Sequence, residues 1–346
     1  MTPAVAAHDL AASVRAQLAQ AAGAAPAETW RQLALAGFGH WPQPGGGATL
    51  ERWRALVEVA RHDLSLAKLV EGHTDALAIL RELGHSDTGP SDALWSTWAA
   101  ESPGSRVLAK RDGQGQVTLT GTKAWCSGAE AASHALMTVW WADGAGPQLA
   151  AVQLQQAGVG ISSQAWRAVG MADSASADVR FDHVPATLVG MPGDYLSRPG
   201  FWQGGAGVAA CWFGGALALG SALHQALAQQ PSAARVPFRQ AALGRVDVAL
   251  GSTAAMLREA AAWIDAHPQD DASLVALRVR QSAEATARKV LDEVGRALGA
   301  TPFCRDASFA RMAADLPVFI RQSHAERDDA AVGERVLASG SAPWSL

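Results

Sequence analysis

The apolar pattern of this chain changes period twice, and that constrains the fold more than any single motif does. Up to about residue 83 the apolar residues recur at helical spacing. Trp53, Leu56, Val57, Ala60, Leu64, Ala67 and Leu69 fall on one stripe, as do His73, Leu77 and Leu80. A Pro/Gly-rich loop from Trp41 to Gly47 interrupts these helices, and Thr49, followed by Arg52 and Trp53, opens a new one. Between residues 94 and 189 short alternating runs take over, at 117–120, 135–140, 148–154 and 178–181, separated by Gly, Asp and Pro. Such runs read as antiparallel strands. Beyond residue 204, Ala/Leu-rich helical segments return at 206–229, 239–266, 272–298 and 308–337, with Pro231, Pro237, Pro268 and Pro302 in the gaps. The chain therefore reads as an α+β multidomain protein: an N-terminal helical domain (1–92), a central antiparallel β-domain (93–200) and a C-terminal four-helix bundle (201–346).

Composition excludes several function classes. With 346 residues, 49% of them apolar and 17% charged, the chain buries a sizeable core and is not disordered. A net charge of −4 without any Lys/Arg block gives no nucleic-acid or membrane surface. No apolar run reads as long enough for a membrane span. Met1 to Leu18 contains His8, Asp9 and Arg15 and lacks a signal-peptide core, so a cytoplasmic protein is expected. Cys126, Cys211 and Cys304 are too widely spaced for a metal knuckle, and their odd number argues against a disulfide framework. His62, Asp63, His73 and Asp75 complete no metal-ligand spacing, so no metal is expected.

Within the β region, Gly-Thr-Lys-Ala-Trp-Cys-Ser-Gly-Ala (121–129) carries the most chemical information. Strand alternation predicts that Trp125 and Ser127 share a face. An aromatic plane beside a hydroxyl suits a flat heteroaromatic cofactor with polar ring atoms, and equally a buried Trp beside a satisfied Ser. Ser127 is not a nucleophile elbow, because no Gly-x-Ser-x-Gly surrounds it. Gly204-Gly-Ala-Gly207 lacks the preceding strand of a dinucleotide fingerprint.

Three segments together resemble the acyl-CoA dehydrogenase superfamily of flavoproteins, over nearly the whole chain. Trp98-Ala-Ala-Glu101-Ser-Pro-Gly-Ser105 is similar to its Thr-Glu-Pro…Gly-Ser segment. Gly121-Thr-Lys123-Ala-Trp125-Cys-Ser127-Gly is similar to its Gly-x-Lys-x-(Trp/Phe)-Ile-(Thr/Ser) strand. Val169-Gly-Met through Asp178-Val-Arg-Phe-Asp-His-Val184-Pro185 is similar to its Gly-Met-Arg…Asp-Val-x-Phe-Asp segment. The resemblance implies an FAD cofactor, with Trp125 against the flavin ring, Ser127 at its polar edge and Ser105 near the pyrophosphate. Ala100 stands where the family carries a flavin-binding Thr. Arg235 and Phe238 resemble the family's adenine-end element, and Arg296 and Gly299 its pyrophosphate turn, both given to a neighbouring subunit. A homodimer or homotetramer is implied, along with an acyl-CoA or related acyl substrate and an electron-accepting flavoprotein partner.

The implied reaction is α,β-dehydrogenation of an acyl thioester with hydride transfer to flavin, which needs a carboxylate base in a dry pocket. The family's base position, eight residues after an Asp matched by Asp315, falls on Ser323, and a second subgroup's position falls on Gly207. Neither is an acid. Phe309, Met312, Leu316, Phe319, Ile320 and Ser323 form one helical stripe, which turns Ser323 inward unless Pro317 changes the phase. His324 reads as a base or donor at neutral pH, or as a solvated residue in the charged run Glu326 to Asp329. Without the base, a flavin-dependent monooxygenase of the same fold and a non-catalytic flavin-fold protein both stand as alternatives.

Overall fold

Asp63 divides the long apolar repeat of the N-terminal region into two helices. Its backbone is extended (φ −160°, ψ 131°), and its side chain accepts from the Leu66 amide, so it ends one helix and caps the next. The computed structural model describes residues 9–38, 40–142, 144, 146–229, 237–340 and 344. Helices α1 (Leu10–Gln20), α2 (Pro26–Leu33), α3 (Thr49–His62) and α4 (Leu64–Glu82) form the first layer, with Trp30 and Trp53 buried among them. One face of α4 lies on the first strand, where the Trp95 amide donates to His73 Nδ1 and Thr97 donates to the Gly72 carbonyl.

Seven strands follow: β1 (Trp95–Trp98), β2 (Val107–Arg111), β3 (Val117–Cys126), β4 (His134–Trp141), β5 (Pro147–Gln153), β6 (Val159–Ser162) and β7 (Ala177–Val189). Ladders join β4 to β2, β2 to β3, β3 to β7, β7 to β5 and β5 back to β4, so the sheet closes into a barrel. This corrects the expectation of a purely antiparallel domain. β1 and β2 lie along the same edge of β4, and both run parallel to it. Strand periodicity reports which residues face inward but not which strands become neighbours. Closure removes the unpaired edges that an open sheet would leave.

After a short helix α5 (Asp194–Ser197), the bundle begins with α6 (Gly200–Ala228), α7 (Pro237–Ala266) and α8 (Ser273–Leu298). Helix α6 corrects the reading that no apolar run is long enough for a membrane. It contains no Asp, Glu, Lys or Arg, reaches a mean hydropathy of 1.6, and 78% of that window is buried inside the fold. A helix apolar all round is a core helix when other helices cover it. Gly214 permits this at the crossing with α3, where a Cβ would lie 2.7 Å from Ala60 Cβ and 2.8 Å from the Val57 carbonyl.

The fourth bundle element is broken, where the periodicity predicts one helix over 308–337. α9 (Thr301–Arg305) leads into α10 (Ala307–Phe319), a 3-10 turn (Ile320–Gln322) and α11 (Glu326–Ala338). The break falls at Ser323 (ψ 144°) and Ala325 (φ 48°, ψ −120°), directly after the 3-10 turn, and Pro317, which lacks an amide donor, lies inside the last turn of α10.

Candidate functional site

The site forms where β3 departs from regular pairing. Lys123 stands opposite Val179 and Cys126 opposite Ala177, so two residues, Ala124 and Trp125, face the single Asp178 across the ladder. This is a β-bulge, a device that re-aims a side chain. Trp125 takes the left-handed conformation (φ 59°), which is strained for a bulky residue, and the residue is 53% exposed. The bulge overturns the simple alternation expected of Trp125 and Ser127. Ser127 lies just past the strand end, its amide donating to the Trp125 carbonyl.

Ser105 completes the bulge. Its hydroxyl donates to the Thr122 carbonyl (2.8 Å) and accepts from the Ala124 amide (3.0 Å), so it serves backbone groups that the ladder leaves unpaired. The loop carrying Ser105 and the exposed Ala100 is anchored through Glu101. Lys123, 1% exposed inside the barrel, donates from Nζ to Glu101 Oε1 (2.9 Å) and to Thr138 Oγ1 (2.7 Å), and Trp140 Nε1 donates to Glu101 Oε2 (3.0 Å). Burial pushes the Glu101 carboxyl up, but the bonds from Thr138, Lys123 and Trp140 outweigh it and hold the group below its usual range.

Behind Ser127 lies a row of hydroxyls. Ser127 Oγ is 2.8 Å from Ser176 Oγ, Ser176 is 3.0 Å from Ser174 Oγ, and Ser174 donates to the Met171 carbonyl (2.8 Å). Helix α10 grips this loop. The Met171 amide donates to the buried Asp315 carboxylate, and Arg311 pairs with Asp173. Gly170 packs so closely that a Cβ would overlap the Ala314 carbonyl oxygen. Burial raises the Asp315 pKa against the Met171 amide, which lowers it.

Ser323 and His324 occupy the break between α10 and α11. Ser323 is buried, as the stripe predicts, but its hydroxyl accepts from the Ala325 amide (3.1 Å) and donates to Gln281 Oε1 (3.3 Å). The His324 side chain is 60% exposed, with Nδ1 3.4 Å from Asp328 Oδ1. Beside this break Arg280 donates to the carbonyls of Gly205 (3.0 Å) and Gln322 (3.1 Å), with its guanidinium over Trp212.

Lys68, Glu71 and Asp75 lie three and four residues apart on α4. Lys68 and Glu71 pair at 2.6 Å. Burial pushes the Asp75 carboxyl up, opposed mainly by the Arg198 charge, and Gly204 would bring a Cβ within 3.0 Å of its Oδ1. Sequence reading weighed Asp75 only as a metal ligand and missed Arg280, Lys68 and Glu71. The available signal was three ionisable residues recurring at helical spacing within an otherwise apolar segment.

The residues implied for a neighbouring subunit lie on other elements. Arg235 falls outside the described residues. Phe238 is 71% exposed in the first turn of α7. Arg296 pairs with Asp292 (3.1 Å) and Glu293 (3.2 Å) of its own helix, and Arg245 clamps Glu293 through two bonds. Gly299 ends α8 at φ 69°.

No family model and no curated protein matches the sequence. Solved structures do match its fold. FMN-bound TdsC from Paenibacillus sp. A11-2, a dibenzothiophene monooxygenase, shares 20% identity at a TM-score of 0.79, over 96% of each chain. Methanesulfinate monooxygenase MsuC from Pseudomonas fluorescens shares 19% identity at a TM-score of 0.79, over 97% of this chain and 98% of that one. KijD3, solved with FMN and a dTDP-linked amino keto sugar, shares 19% identity at 0.78, over 96% and 91%. All three have the acyl-CoA dehydrogenase-type fold, and so has this chain.

Proposed function

We propose that this protein is a flavin-dependent monooxygenase that binds FMN against Trp125 and transfers an oxygen atom to a small substrate. The observation that carries this reading is the occupancy of the base position. Where acyl thioester dehydrogenation needs a carboxylate, Ser323 is tied into a turn, and the neighbouring guanidinium of Arg280 cannot accept a proton. Asp75 makes no side-chain hydrogen bond among the described residues, but it lies on α4 and at neither base position that the resemblance implies. The residues fit a flavin: an exposed aromatic plane held at a bulge, with the partly buried Ser127 two residues further along the chain.

FMN is proposed in place of the FAD that the resemblance implied. Arg296 is engaged by Asp292 and Glu293, which weakens it as a pyrophosphate ligand, and TdsC and KijD3 were solved with FMN. We also read the exposed Phe238 and Val248 on α7 as part of a contact with a second copy of the chain.

One experiment tests the set. Purified protein, whose light-scattering mass should exceed one chain, is mixed with FMN, a flavin reductase and NADH, with indole or methanesulfinate as probe substrates. Oxygen-dependent product, together with no flavin bleaching by acyl-CoAs of any chain length under anaerobic conditions, supports the proposal. Anaerobic bleaching by an acyl-CoA would return the protein to the dehydrogenases. A protein that binds FMN in neither its oxidised nor its dithionite-reduced form would be marked as non-catalytic.

A further inference from the structure

Where α1, α3, α6 and α7 meet, the helices do not close on one another. Packed helices normally interdigitate, with few voids larger than a water molecule. Here Ala11 of α1, Ala210 of α6 and Ala254 of α7 present only methyl groups, and a cavity of about 320 Å3 remains between them. Its floor is apolar: Trp53 is 2%, Leu257 5% and Phe213 8% exposed. Its rim is charged, because the same helix faces carry ionisable residues one position on. On α3, Trp53 and Val57 line the cavity with Arg54 and Glu58 beside them, and on α7 Arg258 follows Leu257 in the same way. Among the described residues that line it, none belongs to the barrel or to the loops around Trp125.

The rim charges are unequally engaged. Glu58 lies between Arg15 (3.5 Å) and Arg61 (3.3 Å), and Asp9 caps α1 by accepting from the Ala12 amide (3.1 Å). Arg54 and Arg258 are exposed and make no ion pair or side-chain hydrogen bond among the described residues. Arg15, Arg54 and Arg258 against Asp9 and Glu58 leave one positive charge above an apolar floor.

We propose that this cavity is a binding site for an amphipathic carboxylate, with its apolar tail on Trp53, Phe213 and Leu257 and its head between Arg54 and Arg258. One surplus positive charge matches one carboxylate, and a guanidinium offers the planar fork that a carboxylate accepts. The volume stands at the small end of ligand pockets, which suits a medium-length tail. A molecule seated here touches all four helices. It ties the first helical layer to the bundle, and by binding the folded chain alone it raises its stability.

The test titrates octanoate into the full-length protein by calorimetry, with octanol and octylammonium as comparisons, and follows thermal unfolding at each concentration. Octanoate is expected to bind about tenfold more tightly than either comparison and to raise Tm. Arg54→Gln combined with Arg258→Gln removes the free charges at exposed positions, where substitutions leave folding nearly unchanged. Octanoate affinity should then fall to that of octanol, a loss of about tenfold for two exposed ion pairs. Ala254→Leu fills the cavity from α7 and should abolish binding with both arginines intact. If Ala254→Leu does not fold, the arginine variant alone decides. No octanoate binding, equal affinity for octanol, or native affinity in either folded variant would overturn the inference, and none of these results depends on whether the protein binds FMN.

Discussion

Trp125 and Trp53 show how one residue type serves two purposes. Trp53 is 2% exposed and contributes through area removed from water, whereas Trp125 keeps 53% of its surface exposed and sits at φ 59°. A side chain that is both exposed and held in a strained backbone is kept in place by its surroundings, here Ser105 and the Lys123–Glu101 tether. Trp125→Asn should therefore cost less than about 1 kcal/mol of stability, since Asn tolerates the left-handed region, while FMN affinity falls by more than about tenfold. Trp53→Ala should cost about 3–5 kcal/mol, as large core truncations do. Urea denaturation and FMN fluorescence quenching separate the two quantities. Equal stability losses would show that Trp125 is simply core. The motif around Trp125 and Ser127 was legible in the sequence. Their relative orientation was not, because the extra residue that makes the bulge is defined only against β7.

At the scale of elements, the loop between β6 and β7 is the clearest case of function depending on contact between distant segments. Residues 170–176 supply the hydroxyl row, and α10, more than 130 residues later, holds them through Asp315 and the close approach at Gly170. Gly170→Ala forces the loop off α10. It should cost about 1–3 kcal/mol, within the range for overpacking a well-filled contact, and weaken FMN binding, measured by urea unfolding and quenching. Full FMN affinity in a destabilised Gly170→Ala protein would show that the loop does not set the site. The helix boundaries near Pro237 and Pro268 were read within a few residues, whereas the one at Asp63 was not. The break at Ser323 escaped notice because the apolar stripe continues through it: Phe319, Ile320 and Ser323 are all buried on either side of the turn.

At the scale of the whole molecule, burial sets the pH range in which the fold is stable. His73 joins α4 to β1 at 4% exposure, and burial lowers its pKa from 6.5 to about 4. Between those values the unfolded chain binds a proton that the folded chain refuses. The stability this residue contributes is complete above pH 6.5 and is lost as the pH falls toward 4, about 3 kcal/mol in all. His73→Asn, which retains an acceptor for Trp95, should flatten that slope in urea titrations at pH 7, 5.5 and 4. A slope unchanged from the native protein would place the titration elsewhere. The sequence by itself determined the succession of helix, strand and helix, the residues that face the core, and the motif that marks the site, because periodicity and turn chemistry are local. Only the tertiary structure decided that the sheet closes, that α6 lies inside the protein, that Ser323 is locked in a turn, and that three serines form one row of hydroxyls. Each of those depends on which distant segments meet, and the partners of a hydroxyl in particular exist only once its neighbours are in place.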